Sequence, residues 1–105
     1  MVGKNTERHA ALFLDPVTKT AYVDEKNIEL TNQEFELLVI LAQNAPNPVS
    51  RRNLLYFAWG YIGSGRTRTV DVHIQRLRKK LGSCYIETVY REGYQLLAEE
   101  APPDT

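Results

Sequence analysis

The spacing of apolar and polar residues changes along the chain, and each change predicts a different kind of element. In the first thirty residues, short alternating or apolar runs are separated by turn-forming residues, a pattern typical of a small antiparallel sheet. The three predicted strands are residues 10–15, 20–23 and 28–30.

Two helices are predicted next. Thr31 and Glu34 have the spacing of a capping box, and an apolar face follows as far as Pro46, formed by Phe35, Leu38, Val39, Leu41 and Ala42. After this proline, Ser50 is suited to cap a second helix that ends at Gly60. Its apolar residues are Leu54, Leu55, Phe57 and Ala58.

A third helix is predicted over residues 66–82, and its two faces differ in character. At about 100° per residue, one stripe is apolar and consists of Val70, Ile74, Leu77 and Leu81. The opposite face consists of Arg68, Thr69, Val72, Gln75, Arg76 and Lys79. Gly82 suits a left-handed C-cap. The outer face is either an ordinary solvated surface or, because it mixes cations, hydrogen-bonding groups and the apolar Val72, a surface for base-pair edges in a major groove.

The chain closes with β-branched and aromatic runs at residues 85–90 and 94–98, which predict a hairpin with Gly93 at positive φ. Residues 99–105 are acidic and contain two prolines, so we expect a disordered tail, and residues 1–9 are expected to be a flexible segment. The element order predicts an α+β winged helix-turn-helix domain over residues 10–98, with an N-terminal antiparallel three-strand sheet, three helices and a C-terminal β-hairpin wing.

Charge is concentrated on the third helix although the 105-residue chain has a net charge of zero. Counting Lys and Arg against Asp and Glu gives −3 for residues 1–45, +2 for 46–65, +5 for 66–81 and −4 for 82–105. Such a local positive patch attracts a phosphate backbone. The single cysteine, Cys84, excludes an internal disulfide framework, and it is either an inert small side chain or an oxidant-sensing thiol. No apolar run approaches a membrane span and no signal peptide is apparent, so a cytoplasmic protein is expected.

Catalytic and cofactor-binding patterns do not occur in the sequence. No GxSxG, GxxxxGK[ST] or GxGxxG pattern is present, so neither an enzyme nor a cofactor site is predicted. His73 has no second histidine or cysteine at ligand spacing, which favours a hydrogen bond at the groove edge over a metal site. Trp59 and Tyr94 are interpreted as core residues. Tyr61 and Ile62 indicate either a loop packed on the core or a surface for a partner.

Five separated motifs together resemble the OmpR/PhoB-type winged-helix effector domains of bacterial response regulators. They are the helix start Leu30, Thr31 and Glu34; the turn Val49, Ser50 and Arg51; the pair Trp59 and Gly60; the helix RTVDVHIQRLRKKL at 68–81; and the wing residues Ile86, Thr88, Val89, Gly93 and Tyr94. The resemblance covers residues 10–98 and implies sequence-specific binding of double-stranded DNA by a transcriptional regulator. The alternative is a winged-helix protein-interaction module without specific DNA binding.

The resemblance also implies roles for individual residues, with the third helix in the major groove. The residues that would contact bases are Val72, His73, Gln75 and Arg76. The residues that would contact phosphates are Arg66, Arg68, Thr69, Arg78, Lys79 and Thr88. In the wing, the family often has an arginine that reaches the minor groove where this chain has Tyr90, and a glycine where it has Arg91. The resemblance therefore does not assign a minor-groove contact to either residue.

Partners follow from the same resemblance. The family uses the loop between the second and third helices to contact RNA polymerase, here Tyr61, Ile62, Gly63, Ser64 and Gly65. Members of the family usually bind repeated DNA half-sites as dimers, and a receiver domain in the same, longer protein controls the dimer. The resemblance implies the same partners for this domain.

Overall fold

Two antiparallel sheets and three helices make up the part of the chain that the computed structural model describes, which is residues 12–23, 26–60, 66–82 and 85–97. The strands of the first sheet are β1 (Leu12–Asp15), β2 (Thr20–Val23) and β3 (Lys26–Glu29), in that order. The helices are α1 (Asn32–Asn44), α2 (Arg51–Trp59) and α3 (Arg68–Leu81), and the second sheet is the hairpin β4 (Ile86–Val89) and β5 (Gly93–Leu96). This element order agrees with the predicted α+β winged helix-turn-helix.

The third strand begins earlier than predicted. The sequence predicted residues 28–30, whereas β3 is Lys26–Glu29, with Lys26 opposite Val23 and Asn27 opposite Tyr22. Polar residues occur here because β3 pairs on only one side and lies at the sheet edge, where exposed polar side chains are tolerated. Leu30 lies outside the strand, immediately before the α1 cap. Residues 10 and 11 of the predicted first strand lie outside the described residues.

The capping box that was predicted for α1 is present in full. The Thr31 hydroxyl accepts a hydrogen bond from the Glu34 N–H at 3.2 Å, and Glu34 Oε1 accepts one from the Thr31 N–H at 2.9 Å. α1 buries a wider face than predicted, because Leu37 and Ile40 join Phe35, Leu38 and Leu41 in the core while Val39 and Ala42 are only half-buried.

α2 begins as predicted at the Ser50 cap, whose hydroxyl accepts from the Asn53 N–H at 3.0 Å. It ends at Gly60, which has the left-handed φ of 81°. Phe57, which was grouped with the apolar residues of α2, is 61% exposed instead of packing inward with Leu54 and Leu55. At about 100° per residue it lies roughly 110° from the midline of these two leucines, and it contacts Tyr56 edge to face.

α3 is shorter than the predicted span of 66–82. Arg66 and Thr67 form a turn before the helix, in which the Arg66 carbonyl accepts from the Thr69 N–H at 3.1 Å. Gly82 has positive φ, but its ψ of 144° is extended, so the predicted left-handed C-cap is wrong. The predicted buried stripe is confirmed, because Val70, Ile74, Leu77 and Leu81 all belong to the core.

The wing strands differ from the predicted 85–90 and 94–98. β4 begins at Ile86 and ends at Val89, where the turn of residues 90–92 follows, and β5 begins one residue early, at Gly93, and ends at Leu96. Residue 98 lies outside the described residues. Gly93 has the predicted positive φ, 124°, and Arg91 also has positive φ, 64°. A side chain at Gly93 would overlap the Val49 carbonyl oxygen. This close approach lets the backbones of Val49 and Tyr94 exchange two hydrogen bonds of 2.8 and 3.1 Å, which attach the wing to the segment before α2.

One hydrophobic core joins these elements. It contains residues of all three helices, β1, β2 and both wing strands. Tyr94 is buried in it as predicted, whereas Trp59 is only half-buried and packs against its surface. The stripe of α3 is therefore fixed, and the opposite face of the helix is directed outward.

Candidate nucleic-acid interface

The outward face of α3 contains most of the residues that were predicted to contact DNA. Arg68, Val72, Gln75, Arg76 and Lys79 are all exposed, and Val72 has 43% of its surface accessible although it is apolar. These side chains point away from the buried stripe, as the 3.6-residue period requires. Thr69 is half-buried on the same helix, and Arg66 is exposed in the turn that precedes it.

His73 lies at the border of this face and is half-buried. Its Nδ1 is 3.0 Å from the Thr69 carbonyl oxygen, and its ring contacts Trp59 edge to face with the ring centres 4.9 Å apart. A carbonyl oxygen only accepts, so Nδ1 carries the hydrogen of this bond. Nε2 is then the ring nitrogen available to a groove edge.

Arg78 and Thr88, both predicted to contact phosphate, are bonded to each other. Arg78 donates from Nη2 to the Thr88 hydroxyl at 2.8 Å and from Nε to the Ile86 carbonyl at 3.1 Å. Its guanidinium also lies 5.5 Å from the centre of the Tyr94 ring, within range of a cation–π contact. Arg78 thus connects the last turn of α3 to both strands of the wing.

A second connection between α3 and the wing was missed by sequence reasoning. Asp71, the acidic residue in the first turn of α3, accepts two hydrogen bonds from Arg51, at 3.0 Å from Nε and 2.7 Å from Nη2. It also accepts one from the Tyr94 hydroxyl at 2.7 Å. One carboxylate therefore joins α2, α3 and β5. The one available signal was a lone acidic residue in a strongly basic helix.

These contacts change the acid–base properties of the cluster. The Arg51 hydrogen bonds lower the pKa of Asp71 below its ordinary value, against the opposing effect of burial, and the Tyr94 hydroxyl lowers it further. Burial, together with the hydrogen bond to Asp71, raises the pKa of Tyr94 to about 12. At neutral pH the cluster accordingly consists of a carboxylate, a guanidinium and a neutral phenol.

The other end of α3 has its own ion pair, also missed from the sequence. Lys80 Nζ lies 2.6 Å from Glu34 Oε1 and donates to the Glu29 carbonyl at 3.2 Å. Glu34 is 1% exposed, so the capping-box carboxylate is buried. Burial tends to raise the pKa of Glu34, but the hydrogen bonds from Lys80 and Thr31 outweigh it, and the pKa is lowered overall. The sequence assigned Glu34 only to the cap.

The wing tip presents the two residues at which the sequence departs from the family pattern. Tyr90 is 79% exposed, and the Arg91 guanidinium lies 5.1 Å from the centre of its ring. Arg91 is exposed as well. The tip therefore offers an arginine supported by an aromatic ring.

The remaining predicted sites were the polymerase-contact loop, residues 61–65, and Cys84, and both lie outside the described residues. Among the residues that the structure does describe, no group of three His, Cys, Asp or Glu side chains could hold a metal ion. None of the helices in these segments is long and apolar enough to cross a membrane.

Comparison with known families decides the identity of the domain. Residues 25–96 match the model of the family described as transcriptional regulatory protein, C terminal. The chain belongs to this family. The match confirms the predicted OmpR/PhoB-type resemblance. This family is not a family of enzymes.

Relatives and solved structures support the same assignment. The transcriptional regulatory protein VxrB of Vibrio cholerae is 40% identical over 87 residues, which are 83% of this chain and 36% of VxrB. The chain spans about a third of the length of the curated relatives that it matches.

Two solved structures confirm the predicted fold class. The DNA-binding domain of CpxR from Escherichia coli is 33% identical with a TM-score of 0.75, and the match covers 87% of this chain and 94% of that one. The RstA DNA-binding domain of Klebsiella pneumoniae, solved in complex with the RstA box, is 34% identical with a TM-score of 0.74. That match covers 84% of this chain and 92% of that one.

Proposed function

We propose that this domain binds a specific double-stranded DNA sequence for a transcriptional regulator, with α3 in a major groove and the wing on the adjacent backbone or minor groove. The observation that carries the proposal is the outward face of α3, where exposed cations surround Val72 and Gln75 while the opposite stripe is buried. The RstA DNA-binding domain, solved in complex with the RstA box, has the same fold and supports DNA binding by this domain. A protein-interaction module is less favoured, because nothing in that role requires a cationic face on α3.

The side chains on this face have the chemistry that each proposed contact needs. Arg76 can donate two parallel hydrogen bonds to the O6 and N7 of guanine, Gln75 can pair with adenine, and Val72 can contact a thymine methyl group. We assign His73 to the groove edge through Nε2. We assign the remaining predicted contact residues to backbone phosphates: Arg66, Arg68, Thr69, Arg78, Lys79 and Thr88.

The proposed partners come from the family resemblance. We propose that the loop at residues 61–65 contacts RNA polymerase, that a receiver domain controls the DNA-binding domain within a longer protein, and that two copies bind adjacent half-sites as a dimer. The curated relatives are about three times as long as the matched region, which leaves room for a receiver domain in those proteins.

The deciding experiment starts from selection of a binding site out of randomised duplexes. The wild type is then titrated against the selected duplex and a random duplex over a range of salt concentrations. A DNA-binding domain shows a linear fall of log affinity with log salt. Arg76→Ala should lose about 1 to 3 kcal/mol on the selected duplex and relax the preference at one base pair.

Arg52→Ala is the matched control, because it removes the same side chain from the exposed surface of α2. Its effect should be similar on both duplexes. An equal loss on both duplexes for Arg76→Ala would refute base readout by this residue. If the wild type shows no salt-dependent binding to either duplex, DNA binding itself is excluded and the protein-interaction alternative is favoured.

A further inference from the structure

The basic residues near the end of α3 do not all face the same way. Relative to the midline of the buried stripe, a rotation of about 100° per residue places Lys79 roughly opposite the core and Lys80 about 90° from the midline. Lys79 is exposed, and within the described residues it forms neither a hydrogen bond nor an ion pair. The side chain of Lys80 is 35% exposed, but it turns back toward α1 and contacts Glu34.

The ammonium group of Lys80 donates hydrogen bonds to two acceptors. Its nitrogen lies between Glu34 Oε1, at 2.6 Å, and the Glu29 carbonyl, at 3.2 Å. The same Glu34 oxygen accepts a hydrogen bond from the N–H of Thr31, the N-cap residue of α1. One carboxylate oxygen thus fixes both the start of α1 and the last turn of α3.

We infer that Lys80 and Glu34 form a positioning pair that sets the end of α3 against α1, and that Lys80 does not neutralise DNA phosphate. This inference rests on the proposed function, because it concerns how α3 is aligned in the groove. Lys80 influences the DNA contacts indirectly, through the position of α3. Its charge is already balanced by the Glu34 carboxylate.

Loss of the pair should displace α3 because Glu34 is almost completely buried. Its side chain is only 2% exposed, so removal of the lysine leaves a buried carboxylate that keeps the Thr31 N–H hydrogen bond but has lost its cation. Such a group is strongly unfavourable unless the surrounding structure moves to hydrate it. The part of α3 that the pair contacts is its last turn, which also carries Lys79, and Arg76 lies one turn earlier. The base contacts depend on the position of this segment.

The test compares two neighbouring lysines. Lys80→Met and Lys79→Met remove the same charge from adjacent residues and keep an unbranched side chain. For each variant and the wild type, affinity is measured on the selected duplex and on a random duplex at several salt concentrations. Urea unfolding establishes that each variant is folded at the temperature used. If Lys80→Met does not fold, the double variant Glu34→Gln/Lys80→Met replaces it, because it also removes the lysine charge while glutamine completes the capping box without leaving a buried carboxylate. Its salt slope and its preference for the selected duplex are then compared with those of the wild type as for Lys80→Met.

We expect Lys79→Met to reduce the slope of log affinity against log salt by about 0.9, the value for one phosphate contact. Lys80→Met should leave this slope unchanged, yet lose roughly tenfold on the selected duplex, the scale of one displaced base contact, and much less on random DNA. A merely structural role would lower both affinities equally or neither.

The inference is overturned if Lys80→Met reduces the slope as Lys79→Met does, because Lys80 then contacts phosphate. It is also overturned if the folded variant keeps the wild-type preference for the selected duplex. Failure of the proposed function is a separate result, since in that case the wild type itself shows no salt-dependent binding.

Discussion

Replacement of Tyr94 by phenylalanine is the smallest change that tests whether the wing is held against α3 by a hydrogen bond. It removes only the hydroxyl that donates to Asp71 at 2.7 Å. The aromatic ring remains in the core beside Arg78. Asp71 keeps both hydrogen bonds from Arg51, so its carboxylate is not left unpaired.

The expected loss of stability follows from the environment of this bond. A hydrogen bond to a charged group contributes about 1.5 to 3 kcal/mol. The side chain of Asp71 is 29% exposed, so water compensates in part and the lower end of the range applies, about 1.5 kcal/mol. For a domain of this size, such a loss lowers the Tm by roughly 6 to 12 °C.

The assay is urea unfolding followed by the fluorescence of Trp59, the single tryptophan. Tyr22→Phe is the matched control, because it removes the same hydroxyl from β2 of the three-stranded sheet. The midpoint for Tyr94→Phe should lie clearly below that of the control. If the two midpoints coincide, the hydroxyl of Tyr94 does not hold the wing and the reasoning is refuted.

Three further predictions concern readout and pH. Replacing the contacted thymine by uracil should weaken binding of the wild type and affect Val72→Ala less; an equal response would exclude Val72 as the reader of the methyl group. If Arg91 enters the minor groove, Arg91→Ala should lose affinity mainly on sites with A·T flanks, whereas equal loss with G·C flanks would indicate a phosphate contact. Because the pKa of Asp71 is lowered on folding, its contribution to stability is present above the unfolded pKa and is lost as pH falls through the folded value. The stability difference between the wild type and Asp71→Asn should therefore shrink in urea titrations below about pH 4, and a constant difference would contradict this assignment.

Features that depend on neighbouring residues were predictable from the sequence. The buried stripe of α3 follows from a period of 3.6 residues, and the caps at Thr31 and Ser50 depend on partners three positions away. The first and last residues of the strands were less predictable. In β3, pairing with β2 extends into the polar residues Lys26 and Asn27, which no apolar pattern marks.

The contacts that position α3 were not predictable, because they join residues far apart in the chain. Lys80 and Glu34 are 46 positions apart, and Asp71 is 20 positions from Arg51 and 23 from Tyr94. Their meeting depends on how the helices and the wing pack, which periodicity does not specify. Only the tertiary arrangement assigns a partner to each of these charges.

The family resemblance predicted which positions face DNA but not what else those side chains contact. It assigned Arg78 and Thr88 separately to phosphates, whereas the structure joins them by a hydrogen bond of 2.8 Å. A motif records residue types in order, and the same arginine can serve an internal contact, an external one or both. Its assignment to phosphate stays a prediction.

A chain with zero net charge can present a cationic surface because its basic residues are concentrated in residues 66–81 and its acidic residues lie mostly elsewhere. Asp71 is paired with Arg51 and Lys80 with Glu34, so the exposed charged residues of the α3 region that have no ion-pair partner among the described residues are all basic: Arg66, Arg68, Arg76 and Lys79. If the four cations assigned to phosphates, Arg66, Arg68, Arg78 and Lys79, each neutralise one, log affinity falls with log salt with a slope of about 3.6. This is a modest attraction to DNA of any sequence, and the acidic remainder of the chain reduces it further. Since random sites greatly outnumber the specific one in a genome, weak non-specific binding leaves more of the protein available for the site that its base contacts select.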